Sequence, residues 1–385
     1  MAYVAVTGGQ EAIQQAEQLV KYYRSKDSEA VLNISMIEKQ LRLLVDRIMG
    51  EGGMYAPEYA ALALKQAEGD PAEAAFLIRA YRSTLPRNHY SLVSEPANMR
   101  VLRRISSSFR DMPGGQVLGP TNDYTHRMLN FSLRNETTED LQAFVETYLS
   151  DTPWDESSMK FTKIADLLRE QHLMADVESS DDEEPYDITR QKLTFPCSRS
   201  ARLQTLSRGE TGAMTALAYS SMRGYGAVHP TIGELRVGYT PVHIPHPFDS
   251  DEDGEGIYIG EVLMTEVESI NSFTQDKESG NVQFLLGYGL VFGQNELKAI
   301  SMSILERSLE TKGNAPAQNE EFVLTHIDSV ESGGFVSHLK MPHYVTFQTY
   351  LDQIRKTQVR KNKSASEEET NHAKAGKDEV PYSRV

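Results

Sequence analysis

The chain has 385 residues, 39% hydrophobic and 24% charged; at ~150 residues per domain this allows two or three domains, with a core large enough to need no disulfide staples. Its 39 Lys and Arg against 55 Asp and Glu leave a net charge of −16, which excludes a surface built to coat nucleic acid but leaves room for a local basic pocket. The single cysteine, Cys197, excludes an internal disulfide, a four-cysteine zinc site and an iron–sulfur cluster.

The first residues, MAYVAVTGGQEAIQQAEQ, show neither a basic start nor a long apolar core, so no secretory signal is expected. No window reaches the ~18 apolar residues of a membrane span, and the expected location is the cytoplasm. Residues 10 to 85 carry helical patterns. Ser35 and Glu38 have capping-box spacing, and Ile37, Leu41, Leu44, Val45 and Ile48 make one apolar stripe that Gly52-Gly53 should stop. Pro57 suits a first helical turn, and Asp70-Pro71 pairs an N-cap with a first-turn proline. From Arg100 the mixture of glycine, proline and polar residues predicts loop, with helices returning over Glu139–Leu149 and Lys160–Met174. The acidic run at 178–187 has no large apolar residue before Tyr186 and predicts a solvated linker.

In the second half, Ala201–Leu206, Thr211–Met222 and Glu296–Leu309 predict helices. Leu235, Val237, Tyr239, Val242 and Ile244 predict extended chain with a proline break, and IYIGEVLM (257–264) and VQFLLGYGLVFG (282–293) predict strands. A last helix is expected over Val345–Arg355, followed by a disordered tail over 361–385. The expected fold class is α+β: a mostly helical N-terminal domain over 1–150, a helix and acidic linker over 151–190, and a mixed α/β C-terminal domain over 191–360.

No GxxxxGK[ST] or HExxH occurs, which argues against a P-loop and a zincin protease. The glycines of GYGLVFG (287–293) are spaced wrongly for a dinucleotide fingerprint and mark instead a strand where backbone packs closely. Asp249, Asp251, Asp253 and Gly254 imitate the first half of a calcium loop, but Gly260 stands where the bidentate acid belongs and Glu261 is one residue late; an acidic hairpin tip is the better reading. His338 and His343 frame Pro342, a turn in which two imidazoles can converge on one ion, although two histidines are half a tetrahedral site and structural histidines are the default. GPTNDYTHR (119–127) packs Asp123, Tyr124, His126 and Arg127 together, which suits acid–base work or anion clamping as well as a structural turn. PCSRSARLQTLSRGE (196–210) sets Arg199, Arg202 and Arg208 near a helix start, a pattern for phosphate binding or for surface ion pairs, and Arg223 extends it.

RRISSSFRDMPGGQVLGPTNDYTHRML, FPCSRSARLQTLSRGE, ALAYSSMRGYGAVHPTIGELRVGY, GYGLVFGQNELKAISMSILERSLE and EEFVLTHIDSVESGGFVSHLKMPHYV together resemble the PhnI family of the carbon–phosphorus lyase core complex. The resemblance runs from YVAVTGG to about residue 355; the acidic stretch at 178–187, the DSDEDGEG loop and the tail beyond 360 depart from it. It implies a transferase subunit that, with PhnG, PhnH and PhnL, displaces adenine from MgATP with an alkylphosphonate, giving α-D-ribose 1-alkylphosphonate 5-triphosphate. It further implies a nucleosidase-like side activity, a PhnJ partner that later cleaves the carbon–phosphorus bond, a dimer of heteromers, and a zinc-like divalent metal on His338 and His343. A non-catalytic scaffold within the same complex is the rival reading.

Displacement at an anomeric carbon passes through an oxocarbenium-like state, so the reaction calls for a carboxylate near C1′, an acid for the departing base and cations for the phosphates. On that chemistry Asp123 is the expected carboxylate and His126 the acid, with Arg127, Arg199 and Arg223 as anion contacts; the resemblance itself does not assign these roles. Glu266 and Glu268 are spare carboxylates whose alternation suggests a solvated strand face.

Overall fold

The computed structural model describes residues 9–151, 161–175, 184–224, 230–246, 256–276 and 279–375. Most of the acidic run and the DSDEDGEG loop lie outside the described residues. The chain divides into two compact units, Gln18–Ser332 and Met1–Glu17 with Gly333–Val385.

Helix α1 (Gln10–Ser25) is followed by α2 (Ile34–Gln40), α3 (Arg42–Gly52), α4 (Pro57–Gln66) and α5 (Pro71–Thr84). The N-cap of α2 is Asn33 rather than the expected Ser35: Asn33 is extended, and its side chain accepts from Ser35 N at 2.8 Å. The apolar stripe is shared between α2 and α3, which meet at Leu41. Gly53, left-handed at φ 64°, closes α3, and Asp70 caps α5 by accepting from Ala72 N at 2.8 Å. Ile37, Val45, Ile48, Met49, Leu64 and Ile78 form the core of this bundle.

Strand β1 (Arg100–Ile105) corrects the expectation of loop there. Helices α6 (Thr138–Asp151), α7 (Ile164–Glu170), α8 (Arg199–Ser207) and α9 (Thr211–Arg223) lead into β2 (Thr231–Ile244), β3 (Ile257–Gln275) and β4 (Val282–Phe292). Among the described residues the strands form one antiparallel sheet in the order β1-β2-β3-β4. The fold class is therefore α+β, but a helical domain does not simply precede a mixed one: β1 comes from the first 150 residues, and the bundle and sheet share the Gln18–Ser332 unit. β2 runs through Pro241 without the expected break. The Pro241 carbonyl accepts from Ser94 beyond the end of β1, so its missing N–H costs the sheet no ladder bond.

Helix α10 (Glu296–Glu310) lies on β4, and α11 (Glu320–His326) packs nearby. Leu235, Val237, Val267 and Val291 meet Leu206, Met214, Met302 and Leu305 to form the larger core. Close backbone packing at GYGLVFG is confirmed: a Cβ at Gly287 or Gly289 would lie 2.2 Å from the carbonyl oxygen of Ser303 or Ala299. On the other sheet face, Ile164 and Leu168 of α7 pack with Met112, Met174 and Phe284.

Helix α12 (Ser329–Ser337) precedes a short 3-10 turn, and α13 runs from Tyr344 to Ala375. The helix thus passes through 361–375, which composition assigned to a disordered tail. Its Lys, Ala and Glu residues favour helix without needing an apolar face. No helix among the described residues is long and apolar enough to cross a membrane.

Candidate active-site cleft

A cavity of about 1490 Å³ opens between α3, the end of β1, the irregular segment 116–130 and the joint of β4 with α10. Asp123, His126 and Arg127 all line it, so the structure does bring this part of the predicted set together. The segment is held by Arg103, which alternation on β1 turns towards it and which is fully buried. Arg103 Nη1 donates to Leu118 O at 2.5 Å and Nη2 to Asp123 Oδ2 at 2.5 Å, while its Nε lies 3.1 Å from Glu296 Oε1. The chain can lie this close to β1 because residue 119 is glycine: at φ +62° a Cβ would stand 2.5 Å from Leu102 O.

Asp123 also accepts from Arg127 Nη2 at 3.0 Å, so one carboxylate sits between two guanidinium groups. Gln294 gathers the opposite wall: it accepts from Arg42 at 2.5 Å and donates to Pro120 O at 3.1 Å and Glu296 Oε1 at 2.9 Å. Arg47 holds Glu51 at 2.8 Å and Glu210 at 2.5 Å. Lys298 belongs to the same wall and is fully buried, and its amine has no hydrogen-bond partner among the described residues. Burial pushes that amine down to about 7, with Arg79 and Arg47 adding repulsion against the pull of Glu51. The lining therefore gathers Arg42, Arg47, Arg127 and Lys298 around the carboxylates Asp123 and Glu296; Arg47 is answered by Glu51 and Glu210 and Arg127 by Asp123, while Arg42 has no carboxylate partner among the described residues.

Arg42, Arg47, Arg103, Glu296 and Lys298 were not singled out from the sequence. Arg42 and Arg47 lie off the apolar stripe of α3, where charges ordinarily mark a solvated face. The available signal was the adjacent pair Arg103-Arg104 within an apolar run, which places one guanidinium on each sheet face.

The remaining candidates lie elsewhere. Arg199 holds Glu306 at 3.0 Å, and Glu306 accepts from Tyr288 N at 3.2 Å, which ties α8 to α10 and β4. Arg223 is exposed at the end of α9, twelve residues and roughly 18 Å along the helix from the cleft residue Thr211. His338 and His343 belong to the other unit, with ring centroids 5.4 Å apart. Each Nδ1 faces a backbone carbonyl, Phe335 O for His338 and Met341 O at 2.6 Å for His343. No group of three or more metal-ligating side chains occurs among the described residues.

Glu266 and Glu268 are buried, contrary to the expected solvated face. Both pair with Lys163, at 2.8 and 2.5 Å, and Glu266 also holds Arg236 at 3.0 Å and Tyr288 at 3.1 Å. Burial raises the Glu266 carboxyl, but Arg236 and Lys163 outweigh it and hold it below the usual range; burial and the Glu266 charge leave Glu268 raised. Alternation identified the face correctly, but that face is covered.

Residues 2–361 match the family described as bacterial phosphonate metabolism protein PhnI. A putative C-P lyase subunit protein, HtxH, of Stutzerimonas stutzeri is 50% identical over 365 residues, 93% of this chain and 96% of that protein. The alpha-D-ribose 1-methylphosphonate 5-triphosphate synthase subunit PhnI of Escherichia coli (strain K12) is 46% identical over 94% of this chain and 99% of its own length. Its namesake in Rhizobium meliloti (strain 1021) is 42% identical over 92% of this chain and 94% of its own. With the match spanning the cleft, the sheet and both histidines, the chain belongs to the PhnI family.

Proposed function

We propose that this chain is the subunit of a phosphonate ribosyltransferase that displaces adenine from MgATP with an alkylphosphonate, in the carbon–phosphorus lyase pathway. The observation that carries the reading, beside family membership, is the guanidinium-rich cleft in a strongly acidic chain: a triphosphate and a phosphonate dianion repel one another and need such donors to approach. An oxygen of the phosphonate attacks C1′, the C1′–N9 bond breaks, and its electron pair goes to adenine N9. Water in place of phosphonate gives the nucleosidase side reaction.

In this reading Arg42, Arg47 and Arg127 hold the anionic groups, Lys298 adds charge from behind the wall when protonated, and His126, exposed on the lining, protonates the departing adenine. Asp123 stabilises the sugar cation. Its charge is shared with Arg103 and Arg127, so Glu296 is the second carboxylate in position to contribute. Arg199 is committed to Glu306, which favours an architectural role.

His338 and His343 suit a divalent metal such as zinc. A carbonyl at each Nδ1 favours the tautomer that leaves Nε2 as the donor, and the missing ligands would come from water, substrate or a partner chain. Bound there, the metal supplies a Lewis-acid or bridging position.

The assembly reading includes PhnG, PhnH, PhnJ and PhnL as partners in a dimer of heteromers. It is supported by the apolar surface left exposed at Met128, Leu129, Phe131, Phe144 and Tyr148. That surface also favours the scaffold alternative. The test is adenine release from MgATP by the purified chain, alone and with partner subunits and methylphosphonate. Asp123→Asn is expected to lower release at least tenfold while leaving folding and assembly intact, since the side chain is 42% exposed. Full turnover in Asp123→Asn would place the chemistry on another residue or chain.

A further inference from the structure

A second cavity, about 330 Å³, lies on the Gly50–Gly53 side of α3, apart from the cleft lining. Arg82 and Arg208 both line it and crowd the same point of backbone. A Cβ at the left-handed Gly53 would stand 2.6 Å from Arg82 Nη1 and 2.9 Å from Arg208 Cδ. The Arg82 hydrogen bonds all leave from Nη1, to Gly52 O at 3.0 Å and Gly53 O at 2.9 Å, so its other nitrogens have no partner among the described residues. The Arg208 guanidinium has no hydrogen bond or ion pair there at all.

A third guanidinium, Arg79, adds to the crowding, and the carboxylate that answers it is already taken: Asp328 binds Arg79 at 2.7 Å. Asp187, the acid that faces Arg82, is paired with Arg87, which leaves Glu331 as the one further carboxylate acting on Arg208. Burial, together with the charges of Arg79 and Arg82, pushes Arg208 down to about 10, the direction expected where cations gather without enough anions. Such a cluster is unfavourable in the free protein and becomes favourable when a dianion sits between the forks. Met264, Leu290 and Phe292 form the apolar remainder of the lining, leaving room beyond a bare oxyanion.

We propose that Arg82 and Arg208 form a second anion site, distinct from the cleft, for a phosphate- or phosphonate-type dianion carrying a small apolar substituent. The site takes its ligand without any bond being made or broken.

The test is the melting temperature of the full chain with inorganic phosphate, phenylphosphonate or acetate at matched ionic strength. Phosphate at about a hundred times its dissociation constant should raise Tm by about 3 °C, phenylphosphonate by at least as much, and acetate by little. The Arg208-dependent part is decisive because the cleft also attracts anions. Arg208→Gln should lose that part, and Arg127→Gln, which alters only the cleft, should keep it. Equal phosphate responses in Arg208→Gln and the unaltered chain would overturn the proposal, as would an acetate response equal to that of phosphate. Should Arg208→Gln not fold, Arg208→Lys keeps the charge without the fork and should weaken phosphate binding about tenfold; unchanged affinity would overturn the proposal equally. A failure of the cleft reading is separable, because it would leave Arg127→Gln indistinguishable from the unaltered chain.

Discussion

Replacing Lys298 with methionine should make the protein more stable and less active, and the size of the first effect should depend on pH. The amine has an ordinary value of 10.5 but is pushed down to about 7 in the folded chain, where it is fully buried without a hydrogen-bond partner among the described residues. Between those two values the unfolded chain binds more protons than the folded one, so stability rises with pH across that window. At 1.36 kcal/mol per tenfold change in proton affinity, the gap corresponds to about 5 kcal/mol, of which about 4 kcal/mol is felt at pH 7. Methionine fills similar space and removes this penalty. Glu51 keeps on Oε1 its bonds from Arg47 at 2.8 Å and Thr211 N at 3.1 Å, while its buried Oε2, which has no partner among the described residues, loses the Lys298 charge, so about 4 kcal/mol is the ceiling of the gain. Urea unfolding at several values between pH 6 and 10 should show Lys298→Met more stable by up to about 4 kcal/mol at pH 7, with the advantage vanishing towards pH 10. Adenine release should show a raised KM for MgATP. A stability difference that does not vary with pH, or a destabilised variant with unchanged kinetics, would refute the reasoning.

Gly119→Ala should cost about 2 kcal/mol from the left-handed backbone and the displaced segment, and should lower adenine release more than it lowers Tm, because the same segment carries Asp123 and Arg127. Glu266→Gln strands Arg236 in the interior and leaves Lys163 with Glu268 alone; chemical denaturation should register a loss of about 3 kcal/mol, with catalysis per folded molecule retained. The held-down Glu266 carboxyl contributes stability that is present above the ordinary carboxylate range and lost as acid titrates it, so the unaltered chain and Glu266→Gln should converge in strong acid. Metal analysis of the assembled complex should show His338→Ala/His343→Ala depleted in zinc-like metal; undiminished content would remove the histidine pair from any metal site.

Local signals with a mechanism transferred well from sequence to structure. Asp70-Pro71 and Pro57 open helices because a side-chain acceptor and a preset φ act within a single turn. The clustering of Asp123, His126 and Arg127 was legible for the same reason. What failed depended on partners far along the chain. β1 reads as loop because Arg103 and Arg104 interrupt its apolar run, yet Arg104 meets Glu234 at 2.5 Å and Arg103 meets Asp123, so both guanidinium groups are at home in the fold. Periodicity places Glu266 and Glu268 on one face but cannot say that Lys163 and Arg236 cover it. Lys298 looks like any helical lysine until α3 closes over it, with Gly50 leaving just the room its amine needs.

The joint between β4 and α10 makes the two sides of the cleft unequal. Thr265 donates to Gly293 O at 2.6 Å, Asp46 accepts from Gln294 N at 2.9 Å, and Asn295 donates to Asp46 O at 2.9 Å, so strand, helix and bundle are stitched together within three residues. The wall carrying Gln294, Glu296 and Lys298 is thereby a fixed template, suited to whatever part of the ligand never changes. Opposite it, the anchoring by Arg103 stops at Asp123, and Tyr124 to Asn130 continue as exposed chain. Tolerance for different substituents must come from that side, so altered ligand preference should arise from exchanges within 124–130 far more readily than from any change in the stitched wall.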